Sequence, residues 1–242
     1  MPISGMKKLI LIIVEGGSDR AYLYPIKKMV KSRSNSKIEF KITKGDILVQ
    51  NDTDNTNIEI KVGVAVQEYL DLYGLEYDDI KQVIHIVDLD GAFIDTKKIK
   101  TDSSLLKGQT IYYRDKITNV NKNNIIRRNK KKVDCLEVLY NLDKINYGTQ
   151  GTIPYRVYYF STNIDDYFFG EQNLTDDQKE AKSNLIYDRY IDDPEGYRNM
   201  IEEDFCSPGN YIETWEYAKI DNNSLSRCTN FNKFFTEIID KL

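Results

Sequence analysis

The stretch Lys8-Leu-Ile-Leu-Ile-Ile-Val-Glu-Gly-Gly-Ser-Asp-Arg20 decides the fold. Leu9 to Val14 form an unbroken apolar run, closed at once by Gly16-Gly17. A run this short, rich in branched residues, predicts a strand buried on both faces. It ends on a carboxylate, Glu15. Behind the glycines, Ser18 or Asp19 is placed to cap a helix whose apolar side carries Tyr22, Leu23, Ile26 and Val30. Strand, glycine turn and helix together put Glu15 at the carboxyl edge of an open sheet, where α/β folds hold their ligands. Taken alone, the same residues also describe a structural Glu in a turn.

A second stretch, Val83-Ile-His-Ile-Val-Asp-Leu-Asp-Gly91, repeats the pattern. It predicts another buried strand that delivers Asp88 and Asp90 to a glycine turn. Residues two apart in an extended segment point the same way, so the two carboxylates converge. Glu15, Asp88 and Asp90 would then make a cluster of hard oxygen donors suited to Mg²⁺ or Mn²⁺. Three like charges held that close repel one another unless a cation compensates them.

Between these stretches, Lys37 to Thr43 alternates as a strand that closes at Lys44-Gly45-Asp46, and Ile60 to Tyr73 has helical spacing. The order β-α-β-α-β with short links implies right-handed crossovers and a parallel sheet. Gln109 to Tyr113 reads as a short strand. The run Ile125 to Lys132 concentrates Arg127, Arg128, Lys130, Lys131 and Lys132. Such a run is either a solvated loop or helix face, or a contact for a phosphate backbone. Val133 to Leu142 reads as a helix.

Tyr155 to Phe160 predicts a fourth strand. It leads into Ser161-Thr-Asn-Ile-Asp-Asp-Tyr-Phe-Phe169, a capped helix start with Asp165 and Asp166 in its first turn. The helix dipole alone favours acids there. Asp166 also stands ready to join Glu15, Asp88 and Asp90. From Glu171 to Leu242 the chain reads as helical, with Trp215 packing a helical core.

The chain has 242 residues, a net charge of −4 and a sequence pI near 5.3, so no global basic field announces nucleic acid. Cys135, Cys206 and Cys228 are odd in number and widely spaced, which predicts free thiols and a cytoplasmic setting. The N-terminal apolar run is too short to span a bilayer. The single histidine, His85, lies inside a strand and reads as a core or sheet-face residue. A histidine-based triad, zincin or His-metal mechanism therefore has almost nothing to work with, and any chemistry falls to carboxylates.

The two strand ends, Ile12-Ile-Val-Glu-Gly16 and Ile86-Val-Asp-Leu-Asp-Gly91, resemble the signature of the TOPRIM domain. The form Glu-Gly-x-Ser-Asp-x-x-Tyr-Leu is most similar to its nuclease branches, the OLD-family and RloB-like proteins of bacterial phage defence. Those branches place an acid after a later strand, and the segment from Ser161 to Phe169 resembles it with Asp166 in the acidic position. Here Asp replaces Glu and the usual proline is missing. The resemblance covers residues 8 to 169 and implies a Rossmannoid core, a mostly parallel four-stranded sheet with helices on both faces. It also implies Mg²⁺ or Mn²⁺ held by Glu15, Asp88, Asp90 and Asp166, catalysis through Glu15, Asp88 and Asp90, and hydrolysis of DNA or RNA phosphodiesters. The resemblance to the defence branches also implies that a separate ATPase partner could control the nuclease; with no Walker A motif in the chain, any ATP-driven step would have to come from another chain.

The expected organisation is a catalytic core over 1–169, with an insertion at about 96–150, and a helical extension over 170–242 packed on that core. Two rival readings stand beside it. Asp88-Leu-Asp-Gly resembles the Asp-x-Asp-Gly-Thr motif of haloacid-dehalogenase-like phosphatases, with Asp88 as nucleophile and Asp90 as acid/base. In that reading Ala92 stands where the family keeps Thr, and Glu15 has no role. The other rival is a catalytically inert, TOPRIM-like binding subunit.

Overall fold

The computed structural model describes residues 8–33, 36–146 and 151–242. The apolar run at the start forms strand β1, Leu9–Val14, and every residue of it is buried. Two helices follow, α1 (Gly17–Leu23) and α2 (Ile26–Arg33), where the sequence suggests one. Pro25 separates them, since a proline inside a helix removes a hydrogen bond and crowds the preceding turn. Strand β2 (Lys37–Ile42) and helix α3 (Ile58–Tyr73) lead to strand β3 (Ile80–Asp88), the second buried run.

The segment after β3 holds a small sheet of its own. Its strands are β4 (Ile99–Thr101), β5 (Thr110–Tyr112) and β6 (Ile117–Asn119), in the order β4-β6-β5. Helix α4 spans Lys122–Leu139, so the cationic run lies on a helix that begins well before Val133. Strand β7 (Lys144–Asn146) and the long β8 (Thr152–Phe160) follow. The chain then forms α5 (Ile164–Phe169), α6 (Asp176–Tyr190), α7 (Pro194–Glu203), α8 (Tyr211–Ala218) and α9 (Asn232–Glu237).

The main sheet has five strands in the order β2-β1-β3-β8-β7. The first four are parallel, and β7 is an antiparallel edge strand that the loosely patterned sequence before Tyr147 does not announce. Two register pairs fix the site: Ile13 opposite His85, and Asp88 opposite Phe160. The chain leaves β1 toward β2 on one side, while β3 lies on the other. Connections diverging in this way open a crevice at the carboxyl ends of the two central strands.

The C-terminal helices share the core of the sheet. Trp215 is buried, stacking on Tyr140 at 4.9 Å and meeting Tyr159 of β8 edge-on at 4.8 Å. Thr229 bridges to Phe160, and the Asn230 side chain accepts a hydrogen bond from Tyr159 N. His85 is buried beside Tyr155, sharing a 3.0 Å hydrogen bond with its hydroxyl. Burial and the nearby Lys132 push its pKa down to about 3, so it stays neutral. Cys135, Cys206 and Cys228 are free thiols. Among the described residues, no helix is long and apolar enough to cross a membrane.

Candidate functional site

Glu15 leaves β1 directly into the crevice, and the turn behind it is fastened by Asp19. The Asp19 carboxylate accepts a 2.8 Å hydrogen bond from Gly16 N, so Asp19 closes the helix start from its third position rather than capping it. Asp88 ends β3, and its Oδ1 accepts from Ile164 N at 3.0 Å. That bond ties the second strand end to the first turn of α5.

Asp90 and Gly91 both take left-handed backbone conformations, with φ of 53° and 67°. Asp tolerates this region better than most residues. At Gly91 nothing larger fits, because a Cβ would lie 2.5 Å from Leu225. The turn is held from several sides. Asp90 N donates to Thr162 O, Gly91 N donates to Ser224 O, and Arg128 donates to Asp90 O at 3.0 Å.

Lys132 meets this turn from α4. It is fully buried, with Nζ 2.6 Å from Asp90 Oδ2 and 2.7 Å from Asp46 Oδ2. Asp46 follows β2 at the same edge of the sheet, and its other oxygen accepts from Leu48 N at 2.8 Å. One cation thus sits among carboxylates from three strand ends. Burial tends to raise the Asp90 pKa, but Lys132 and Arg128 together hold it below the usual value. Lys132 keeps its proton firmly, since the charges of Asp46, Asp90 and Glu15 outweigh its own desolvation.

Lys132 also lowers Glu15 and Asp88, but it does not outweigh burial and the neighbouring acids there. Burial is the largest cause raising the Glu15 pKa, and the charges of Asp46, Asp90 and Asp19 add to it. Asp88 is raised by burial and by Glu15, Asp19 and Asp90. Glu15 Oε1 is buried without a hydrogen-bond partner. Nearby, Asp165 is buried, accepting from the Tyr22 hydroxyl at 2.8 Å with Lys179 of α6 at 3.6 Å. Lys179 feels Asp88 and Asp19 as well as Asp165.

The expected residues divide on this geometry. Glu15, Asp88 and Asp90 share one electrostatic cluster at the β1/β3 crevice. Asp166 is buried in a two-pronged ion pair with Arg114, at 2.5 and 2.6 Å, so both its oxygens are engaged. Its neighbour Asp165 is the acid that reaches toward Asp19 and Lys179. Among the described residues, no three His, Cys, Asp or Glu side chains form a ready-made metal cage.

The cationic run divides too. Lys132 and Arg128 point into the site, Lys130 pairs with Asp134 at 2.6 Å, and Lys131 donates to the carbonyls of Gln50 and Asn51. Arg127 and Lys130 are exposed. The helical period explains the split, because residues four apart, Arg128 and Lys132, share one face.

Asp19, Asp46 and Lys179 were not anticipated as site residues. Asp46 carried a signal, since it closes a strand of the same sheet. Asp19 lies at the third position of α1, four residues after Glu15. Lys179 comes from a helix far along the chain, and nothing local marks it. Comparison with protein-family models, curated proteins and solved structures finds no match.

Two expected results follow from this geometry. Arg114→Met leaves the buried Asp166 carboxylate without its partner. Arg114 is partly exposed, so the loss should be about 2–3 kcal/mol, below that of a fully buried pair. Urea unfolding measures it; an unchanged midpoint would show that water replaces the guanidinium.

The second is a pH dependence. Glu15 and Asp88 have folded pKa values raised above their unfolded ones, so their contribution to stability is present at low pH and is lost as pH rises through the folded values. Asp90 works the other way, contributing above the ordinary Asp value of 3.8 and losing that contribution below it. The metal-free protein should therefore gain stability on mild acidification from neutral pH, until Asp90 and similar acids protonate. Glu15→Gln with Asp88→Asn should flatten the neutral limb of a melting-against-pH curve. A curve of unchanged slope would refute the coupling.

Proposed function

We propose that the chain is a divalent-metal-dependent nuclease of TOPRIM-like architecture, hydrolysing phosphodiester bonds of DNA or RNA. The observation that carries this reading is the convergence of Glu15, Asp88 and Asp90 at the β1/β3 crevice, with an unsatisfied Glu15 oxygen among them. Mutually repelling carboxylates, one of them with an oxygen left without a hydrogen bond, are the donor set that a hard cation would complete.

Glu15 and Asp88 would hold Mg²⁺ or Mn²⁺, with Asp90 beside them and Asp19 or Asp165 as neighbouring oxygen donors. When bound, such an ion polarises a phosphoryl oxygen and lowers the pKa of water. The chain's own groups do the rest. Ile164 N orients the Asp88 carboxylate. Lys132 pairs with Asp90 and Asp46 at once and holds the Asp90 carboxyl below its usual range. Lys179, partly exposed near the acids, supplies a cation on the solvent side for a non-bridging phosphate oxygen. The phosphatase reading is less well supported, because it leaves the half-buried Glu15, with its unsatisfied oxygen, without a task. Phage defence and an ATPase partner belong to this proposal only through the resemblance.

The test is a cleavage assay on single-stranded and duplex DNA and RNA, with EDTA, Mg²⁺ or Mn²⁺. Metal-dependent cleavage that disappears in Glu15→Gln supports the nuclease. Full activity in Glu15→Gln together with a dead Asp88→Asn would transfer the assignment to the phosphatase reading. No cleavage under any condition would leave the inert binding subunit.

A further inference from the structure

Two cavities flank α1, and Arg20 lines both. The first, about 500 Å³, lies between α1 and α6 beside the acidic site, bounded by Gly16, Gly17 and Lys179. The second, about 530 Å³, lies at the outer edge of the sheet against β2, with Tyr24, Phe40, Tyr69 and Tyr73 in its wall. Arg20 lies on α1 and Tyr24 is the residue that ends it, so the first space runs toward the second along that helix. Tyr24 continues the wall, 6.3 Å from Phe40 and 5.2 Å from Tyr187 of α6.

The outer cavity combines ring faces with positive charge. Arg20, Lys27 and Lys37 line it against one carboxylate, Glu39, which Lys27 pairs at 2.8 Å. Tyr73 is 60% exposed, and among the described residues its ring contact is Tyr69, at 4.6 Å. Aromatic faces beside excess cations are what an unpaired nucleic-acid strand requires, since bases stack on the rings and phosphates meet the cations. A duplex keeps its bases stacked on one another and offers them to no ring. The inner cavity is different. There Asp176 and Glu180 offset Arg20 and Lys179, so that stretch guides a strand without supplying much affinity.

We infer that the two cavities form one track for single-stranded nucleic acid, with Arg20 at the join and the aromatic pocket at β2 as the main source of affinity. This rests on the nuclease reading for the direction of the track, toward Glu15 and Asp88, and it names the substrate as a single strand.

The experiment is fluorescence anisotropy with a labelled oligonucleotide of about 12 nucleotides, single-stranded or annealed, in EDTA so that nothing is cleaved. The wild type should bind the single strand more tightly than the duplex. Tyr73→Ala should weaken single-strand binding about 5- to 100-fold. The double variant Arg20→Gln with Lys37→Gln should weaken it and flatten the salt dependence by about two phosphate contacts. Leu72→Ala, on the same helix but outside the cavity, should change nothing. Equal affinity for single strand and duplex, or unchanged binding in both the Tyr73 and the cation variants, overturns the track. Cleavage measured in parallel separates the two proposals. Glu15-dependent cleavage with unchanged binding in the variants removes the track alone. Tyr73-dependent binding without cleavage keeps the track and removes the nuclease.

Discussion

Lys132→Met is expected to destabilise the chain by about 3–5 kcal/mol, the cost of removing one partner from a buried ion cluster. Methionine nearly matches the length of the lysine stem, so lost packing is a small part of the effect. The large part is electrostatic. Asp46 and Asp90 lose the ammonium that bridges them, leaving Arg128 as their nearby cation, and Glu15, already raised by their charges, loses the lysine that offsets them. For a chain of this size, each kcal/mol corresponds to roughly 2–4 °C of melting temperature. Adding Asp46→Asn to Lys132→Met should recover part of the loss, because it removes one of the stranded charges. A thermal or urea melt of the two variants and the double variant measures this coupling. A loss below about 1 kcal/mol for Lys132→Met would mean that the cluster is solvated and that the lysine is only a neighbour.

The same cluster shows what could be read from residue order and what could not. Glu15 and the pair Asp88 and Asp90 were legible because each ends an uninterrupted apolar strand, and strand ends of a parallel sheet meet at one edge. Asp166 was not legible as an ion-pair partner. Choosing between it and Asp165 depends on the rotation of a short helix, and the deciding residue, Arg114, is 52 residues away. Lys132 was visible as one of five cations, but its burial was not. A run of charges reads as a surface until the helical period is set against a facing acid, and that acid is Asp90, 42 residues earlier. Of the small sheet, β5 shows in the run Gln109 to Tyr113, while β4, β6 and the edge strand β7 were faint for a related reason. These three strands are three residues long, too short to establish an alternation.

Asp88→Asn is expected to move activity and stability in opposite directions. Asn keeps an Oδ1 that accepts from Ile164 N, so the contact between β3 and α5 survives. It removes a charge whose ionisation is opposed by burial and by Glu15, Asp19 and Asp90. The metal-free variant should therefore be more stable than the wild type at neutral pH, by on the order of 1–2 kcal/mol. Metal-dependent cleavage should fall on the order of a thousandfold or more. The charge stabilisation by a bound ion amounts to several kcal/mol, and each 1.36 kcal/mol is a factor of ten in rate. A third readout links the two. Wild-type protein should melt higher in Mn²⁺, by about 2.7 kcal/mol of stabilisation at a hundred times the dissociation constant, and the variant should lose most of that gain. Loss of activity together with loss of stability would make Asp88 a structural residue of the turn. Retained activity with an unchanged response to Mn²⁺ would remove it from the metal site altogether.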